Sequence, residues 1–344
     1  MLNSLTKFHW AAAIIGWAAC CALIPATTWG LTLPSEPPPL PSDPEQWINS
    51  SPLSYEGLRG KGVVFWYFEE TCPSCARRWP ETMAQAVKFS DEPVVFIAVV
   101  SGCARQSVLQ YVAKNRVDWP VLVDVDRSFE SQSGEVAISL QATVDVRIVA
   151  PNGSYSWGWW DDIPQTVKYA GEGARWKNDA AKVPEPLRLA ARHMEFGDYV
   201  PAVKAIKAGL DSQSSEVRRM AGFMQQAVQR KYSEAATKIT ADNERTAWDR
   251  YHALWYETRR FAGHEPPAEV VAELKQLAKD PAVLAEQKAS KAVEANLALY
   301  ESSDEAGRQT ALSRLAKLSK KYPNSPAMER AKKRLSSQGA TLSE

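Results

Sequence analysis

Between residues 46 and 172, short apolar runs alternate with polar, turn-forming stretches. Beyond about residue 184, apolar residues recur only at helical spacing. Val63-Val-Phe-Trp-Tyr-Phe68 is a continuous run of β-formers, as expected of a strand buried on both faces. Pro93-Val-Val-Phe-Ile-Ala-Val-Val100 predicts a second buried strand. Residues from Cys72 to Phe89 read as a helix with Pro80 as an interior break, and Gln106 to Asn115 as another. Pro120 to Asp124 is a short strand or turn. Asp145 to Ala150 is a strand, Pro151-Asn-Gly153 turns the chain, and Ser154 to Trp160 would pair back. Ile163 to Ala170 could close the unit as a helix. Strands alternating with helices and followed by a hairpin predict an α/β domain over 46–172, with a mixed sheet flanked by helices.

The second half predicts an all-α domain over 184–336, joined by a linker at 173–183 and followed by a disordered tail at 337–344. Gly197-Asp-Tyr199-Val-Pro-Ala202 resembles the turn between the two helices of a tetratricopeptide unit. Tyr232-Ser-Glu-Ala235 repeats its Tyr-x-x-Ala part about 33 residues later, near the repeat period. Lys321-Tyr-Pro-Asn-Ser-Pro326, with Ala327 and Ala331, looks like an inter-repeat turn. His193 and Gly209 depart from the repeat pattern, and an irregular helical bundle is the alternative.

The N-terminus changes the picture. Lys7 and His9 precede an apolar run from Trp10 to Ile24, ended by Pro25 and followed by small residues to Gly30. That is signal-peptide length, short for a bilayer span, so residues 1–30 are expected to direct export. An uncleaved membrane anchor is the alternative, and a lipoprotein at Cys20 or Cys21 a weaker one. Residues 31–45, with prolines at 34, 37, 38, 39, 41 and 44, read as an extended linker outside any core. The implied location is periplasmic or otherwise extracytoplasmic. The net charge of +1 offers no basic field for nucleic acid.

Export to an oxidising compartment sorts the cysteines. Cys20 and Cys21 leave with the signal, and Cys72, Cys75 and Cys103 remain. A Cys-x-x-Cys can be a redox pair or half of a zinc site. Zinc needs about four ligands, but only Cys103 and the scattered His9, His193, His252 and His264 are left to supply them. No metal or other cofactor is expected. The redox setting is better. A buried strand runs through Glu69-Glu-Thr71 into a helix starting near Cys72, which aims helix amides at the first sulfur and favours its thiolate. Cys75, one turn on, would resolve the mixed disulfide.

Here the residues resemble a family. Ser54 to Pro80, with its Leu58-Arg-Gly-Lys61 loop, core strand, Cys72-Pro-Ser-Cys75 and Pro80, is similar to TlpA-like thioredoxins. The resemblance covers about residues 45–172 and is most specific from Leu58 to Pro80. It implies an exported thiol–disulfide oxidoreductase acting on protein disulfides, with Cys72 and Cys75 catalytic.

Three departures stand out. Thr71 replaces the family's Trp, and Glu69 and Glu70 flank the site while Arg77 and Arg78 pull the other way. No proline stands near Val144, where the family has one facing the dithiol. Trp66 lies where many thioredoxins bury an acid or amide beneath the resolving cysteine, which leaves Glu69 or Glu70 as candidate bases.

The remaining features read more plainly. Cys103 is a half-buried loop thiol or a third redox cysteine. It lacks the Pro-x-x-x-Thr/Ser-x-x-Cys pattern of peroxide enzymes. Trp157, Trp159 and Trp160 are expected to pack across strands rather than line a peptide surface. Asp161-Asp162 is expected to cap a helix. Trp248 to Arg260 would pack between repeats, and Lys317 to Arg334 would be a solvated face. The functional expectation is disulfide exchange with protein substrates, and the helical domain docks a partner. The alternative is a non-catalytic scaffold with a structural disulfide.

Overall fold

The computed structural model describes residues 33–134 and 138–342. The expected signal segment, with Cys20 and Cys21, lies outside the described residues. The described chain from residue 33 onward belongs to one compact unit.

The first half holds β1 (Trp47–Ile48), β2 (Gly62–Phe68), α1 (Pro73–Ala86), β3 (Val94–Ser101), α2 (Arg105–Asn115) and β4 (Val121–Asp124). It continues with α3 (Ser128–Gln132), β5 (Val144–Val149), β6 (Tyr155–Trp157) and α4 (Ile163–Ala170). The six strands form one mixed sheet in the order β1-β4-β3-β2-β5-β6. Pairings β2–β3 and β3–β4 are parallel, and the other three are antiparallel. This is the expected α/β class.

Residues of β2 alternate strictly between two cores, as the pleat of a strand demands. Val64, Trp66 and Phe68 join Trp79 of α1, Val108 of α2 and Ile163 of α4. Val63, Phe65 and Tyr67 face the opposite core, closed by Phe129 of α3 and by Trp47, Leu53 and Leu58. With both faces covered, β2 needs no polar residue along its length.

The structure corrects several expectations. The proline-rich segment is not clear of the core. Pro38 is buried, Leu40 packs on the second core, Tyr55 Oη donates to the Pro38 carbonyl and Trp47 Nε1 to that of Pro41. Apolar and aromatic partners further along the chain hold the prolines in place. The 173–183 stretch is likewise pinned: the Lys177 and Asn178 amides donate to Glu195, and the Trp176 ring packs on Phe196. In the tail, Ala340 and Leu342 pack against the last helical core. The hairpin partner strand β6 ends at Trp157, because the backbone of Trp159 bonds the Thr166 side chain instead.

The second half holds α5 (Arg188–Glu195), α6 (Ala202–Leu210), α7 (Ser215–Thr240), α8 (Ala247–Arg260) and α9 (Ala268–Leu277), then α10 (Pro281–Ser302), α11 (Glu305–Lys321) and α12 (Pro326–Ser337). Elements up to α9 share one core, and α10 to α12 share another. Gly197, with φ of 79°, turns the chain between α5 and α6. Tyr232 instead lies within α7, a continuous helix of 26 residues. The two tyrosines meet nonetheless: Tyr199 and Tyr232 each stack on Phe261 at 4.5 Å.

The two halves are bound by polar contacts. Lys61 Nζ lies 2.8 Å from Glu195 Oε2, both side chains being buried. Ser51 Oγ donates to Asp198 at 2.9 Å. Arg192 reaches the Ser90 carbonyl and pairs with Asp91. At the far end of the helical half, Lys333 of α12 lies 3.5 Å from Asp126. Among the described residues, no helix is long and apolar enough to cross a membrane.

Candidate active site

Strand β2 ends at Phe68, whose ring meets Trp79 of α1 edge-on at 4.9 Å. That contact sets the start of α1 over the end of β2. The intervening turn is closed locally: Glu69 accepts from the Thr71 amide and hydroxyl, and the Cys72 amide donates to the Glu69 carbonyl at 3.3 Å. Cys72 is the N-cap of α1 in extended geometry, followed by Pro73 at the first helical position. Proline suits that place because its missing N–H would have no helical partner. Pro80 sits inside α1, which continues to Ala86.

The N-cap position puts the Cys72 sulfur where a capping oxygen usually lies, and Sγ accepts the Cys75 N–H at 3.3 Å. Burial by itself would push the Cys72 thiol up. Hydrogen bonds from the Cys75 side chain, from the Cys75 and Ser74 amides and from the Thr143 side chain outweigh it, and the thiol lies below its ordinary range. Cys75 is the opposite case. Burial, then the hydrogen bond to Cys72, push its thiol up to about 11. Its S–H donates to the Thr143 carbonyl at 3.5 Å. Two chemically equal residues, each 5% exposed, are thus split into one sulfur favoured as thiolate and a partner favoured as thiol.

Sequence reasoning missed Thr143. The position counted from the hairpin, Val144, pairs with Phe68 in the antiparallel β2–β5 register. That register carries the preceding residue, Thr143, onto both sulfurs. Its carbonyl also accepts the Glu69 amide, at 3.1 Å. The only signal in the chain was the spacing back from Pro151-Asn-Gly153.

The other candidates sort by contact. Trp66 does line the space beneath Cys75. Glu69 is spent on its own turn. Burial raises the Glu70 carboxyl, beside the Cys103 thiol, and one of its oxygens is buried without a hydrogen-bond partner, while the Cys103 S–H donates to the Ser101 carbonyl at 3.6 Å. Arg77 bonds Ser74, and Arg78 lies over the Trp160 ring at 4.7 Å. Cys103 is half-buried after β3. Burial, then the Glu70 charge, push its thiol far above its ordinary range, so it is a poor nucleophile. Trp157 covers the Arg147 guanidinium, its cross-strand neighbour, at 3.5 Å, and Trp159 packs on Tyr169. Asp162 caps α4 by accepting from the Gln165 amide. Along α8, His252 stacks on Trp248 and lies tilted against Tyr256, and Leu254 enters the helical core.

A mixed sheet whose central strand delivers Cys-x-x-Cys onto the N-terminus of a helix makes the first half of the chain thioredoxin-like. No protein-family model matches the chain, and no curated protein matches it. Solved structures do. A secreted disulfide oxidoreductase of Mycobacterium tuberculosis is 18% identical, over 31% of this chain and 78% of its own, with a TM-score of 0.27. A thioredoxin-family thiol:disulfide interchange protein from Chlorobium tepidum is 19% identical, over 40% and 98%, with a TM-score of 0.32. A thiol-disulfide isomerase from Corynebacterium glutamicum is 23% identical, over 37% and 90%, with a TM-score of 0.29. Each covers less than half of this chain.

Proposed function

We propose that this protein is an exported thiol–disulfide oxidoreductase that exchanges disulfides with protein substrates through Cys72 and Cys75. The observation that carries the reading is the asymmetry of the two thiols. The Cys72 sulfur accepts the Cys75 N–H at a helix N-terminus, which favours its thiolate, while the Cys75 S–H donates to the Thr143 carbonyl and its thiol is pushed up. In exchange, the Cys72 thiolate attacks a substrate disulfide and one substrate sulfur leaves as thiolate. Cys75 then attacks Cys72, which closes the intramolecular disulfide and releases the second substrate sulfur. Run backwards, the same steps oxidise a substrate dithiol.

The helical half would dock a partner, as arrays of paired helices do with their grooves. Its polar ties to the α/β half would hold such a partner in fixed relation to the dithiol. The N-terminal apolar segment supports an extracytoplasmic location.

The test is a Cys75→Ser variant. It is expected to accumulate mixed disulfides between Cys72 and substrate proteins, separable on non-reducing gels and lost in a Cys72→Ser/Cys75→Ser control. A second reading, a scaffold with a structural disulfide, draws on the absence of proline at Thr143-Val144. It requires no trapped species and a Cys72–Cys75 reduction potential below about −300 mV, as in structural disulfides.

A further inference from the structure

Thr143 serves both sulfurs. Its side chain favours the Cys72 thiolate, and its carbonyl accepts the Cys75 S–H at 3.5 Å. Both contacts depend on where the loop from Ile138 to Thr143 stands. Neither Thr143 nor Val144 is proline, so no ring fixes the backbone there. Chain entropy opposes any single loop conformation, and other contacts must hold this one.

The loop is first closed on itself. The Ser139 N–H donates to the Ala142 carbonyl at 3.0 Å, and the Ser139 hydroxyl oxygen accepts the Gln141 and Ala142 amides. That turn joins Ile138 at one end to Thr143 at the other. The Ile138 end is gripped by an ion pair at the start of α3. Its N–H donates to Glu130 Oε1 at 3.1 Å, and its carbonyl accepts from Arg127 Nη1 at 3.3 Å. The same Arg127 nitrogen closes on both Glu130 oxygens, at 2.9 and 3.0 Å. Both backbone polar groups of one residue are thus taken by one ion pair.

The grip is itself fixed. Glu130 is only 4% exposed, and a buried charge is tolerated only where its partners are well placed. Asp124, at the end of β4, accepts the Phe129 and Glu130 amides and sets α3 in place. Arg127 holds a φ of 56°, a left-handed conformation uncommon outside glycine. Such backbone persists where the surroundings over-determine it.

We infer that Glu130, with Arg127, is a positioning residue of the dithiol: it grips Ile138 and, through the 139–142 turn, keeps Thr143 against Cys72 and Cys75. The inference rests on the exchange reaction proposed above. The ion pair does by geometry what a proline ring would do covalently. Its reach to Ile138 matters, and its charge does not act on the sulfurs directly.

The test follows iodoacetamide alkylation of Cys72 across pH in the reduced full chain, read by peptide mapping. Glu130→Asp keeps the charge but is one methylene shorter. Glu130→Gln keeps the reach and an oxygen for the Ile138 N–H, but loses the charge. Glu130→Asp is expected to raise the Cys72 thiol and slow alkylation about tenfold below its pKa, the effect of one pKa unit, with Glu130→Gln within about twofold of the wild type. Beside Thr143→Ala, Glu130→Asp should add nothing, because both act through one contact. Ser139→Ala, in the half-exposed turn, cuts the link itself and is expected to slow alkylation in the same sense, even should Glu130→Asp fail to fold. Glu195→Ala loosens the junction of the two halves and should leave Cys72 at the wild-type rate, which separates positioning from general loss of stability.

A role of the Glu130 charge alone predicts the reverse order. Glu130→Gln would then ease ionisation of Cys72 and speed alkylation, while Glu130→Asp changed little. That order overturns the inference and leaves the exchange reading intact. So does a full Glu130→Asp effect beside Thr143→Ala, no slowing in Ser139→Ala, or an equal slowing in Glu195→Ala. A Cys72 thiol of ordinary pKa in the wild type overturns both.

Discussion

Consider the substitution Glu195→Ala, at the junction of the two halves. Glu195 accepts four hydrogen bonds: one oxygen takes Lys61 Nζ and the Lys177 amide, the other the Asn178 amide and side chain. Its removal leaves Lys61 fully buried against the Arg175 carbonyl at 2.6 Å and the Trp176 ring at 5.1 Å, with no carboxylate to balance its charge among the described residues. Breaking a buried ion pair from one side typically costs about 3–5 kcal/mol, because the surviving charge is uncompensated. Lys61→Met is milder. The carboxylate keeps its three other N–H donors, and the loss is that of one hydrogen bond to a charged group, about 1.5–3 kcal/mol.

Urea unfolding of the purified chain, followed by far-ultraviolet circular dichroism, measures both. The pH dependence gives a second check. Burial by itself would raise the Glu195 carboxyl, but Lys61, then the Lys177 and Asn178 amides, outweigh it and hold it below its ordinary value. A carboxyl lowered by folding contributes stability above its unfolded pKa and loses that contribution as pH falls through the folded one. The gap between wild type and Glu195→Ala should therefore be full near neutrality and shrink below about pH 4. Lys61→Met costing as much as Glu195→Ala, or a gap that widens in acid, would refute the reasoning.

Two further outcomes are expected. Thr143→Ala removes a hydrogen bond that favours the Cys72 thiolate. The Cys72 thiol should rise and alkylate more slowly at mildly acidic pH, as read by ultraviolet thiolate absorbance and iodoacetamide trapping, while Cys103 reactivity stays constant. Gly62→Ala places a Cβ 2.2 Å from the Ala170 carbonyl oxygen, so α4 must move off β2. A loss of about 1–3 kcal/mol is expected from such overpacking, and an unchanged unfolding midpoint would show that the α4 contact is looser than described.

The strands and helices that a sequence announces are those whose signal is local and repeated. β2 and β3 are continuous apolar runs, and α4 begins at a capping aspartate and a proline. The dithiol at a strand-to-helix junction belongs to the same class, since the strand run, Cys72 and Pro73 are contiguous. β1 and α3 were not legible. Two residues of strand carry no periodicity, and α3 is only five residues long. It is held where it is by Asp124, which accepts the Phe129 and Glu130 amides.

The sequence by itself determined the chemistry available: two thiols one helical turn apart, a helix N-terminus to favour one of them, and a second half with only helical periodicity. Tertiary structure decided how that chemistry is divided. The β2–β5 register brought Thr143 onto the sulfurs across more than 60 intervening residues. Packing set Glu70 beside Cys103 and closed Glu130 and Arg127 on the backbone of Ile138. Trp47 and Tyr55 drew the proline-rich segment onto the core. The physical reason is common to all three. Propensity, capping and periodicity act between near neighbours in the chain, whereas register, burial and long-range hydrogen bonds exist only once distant segments have met.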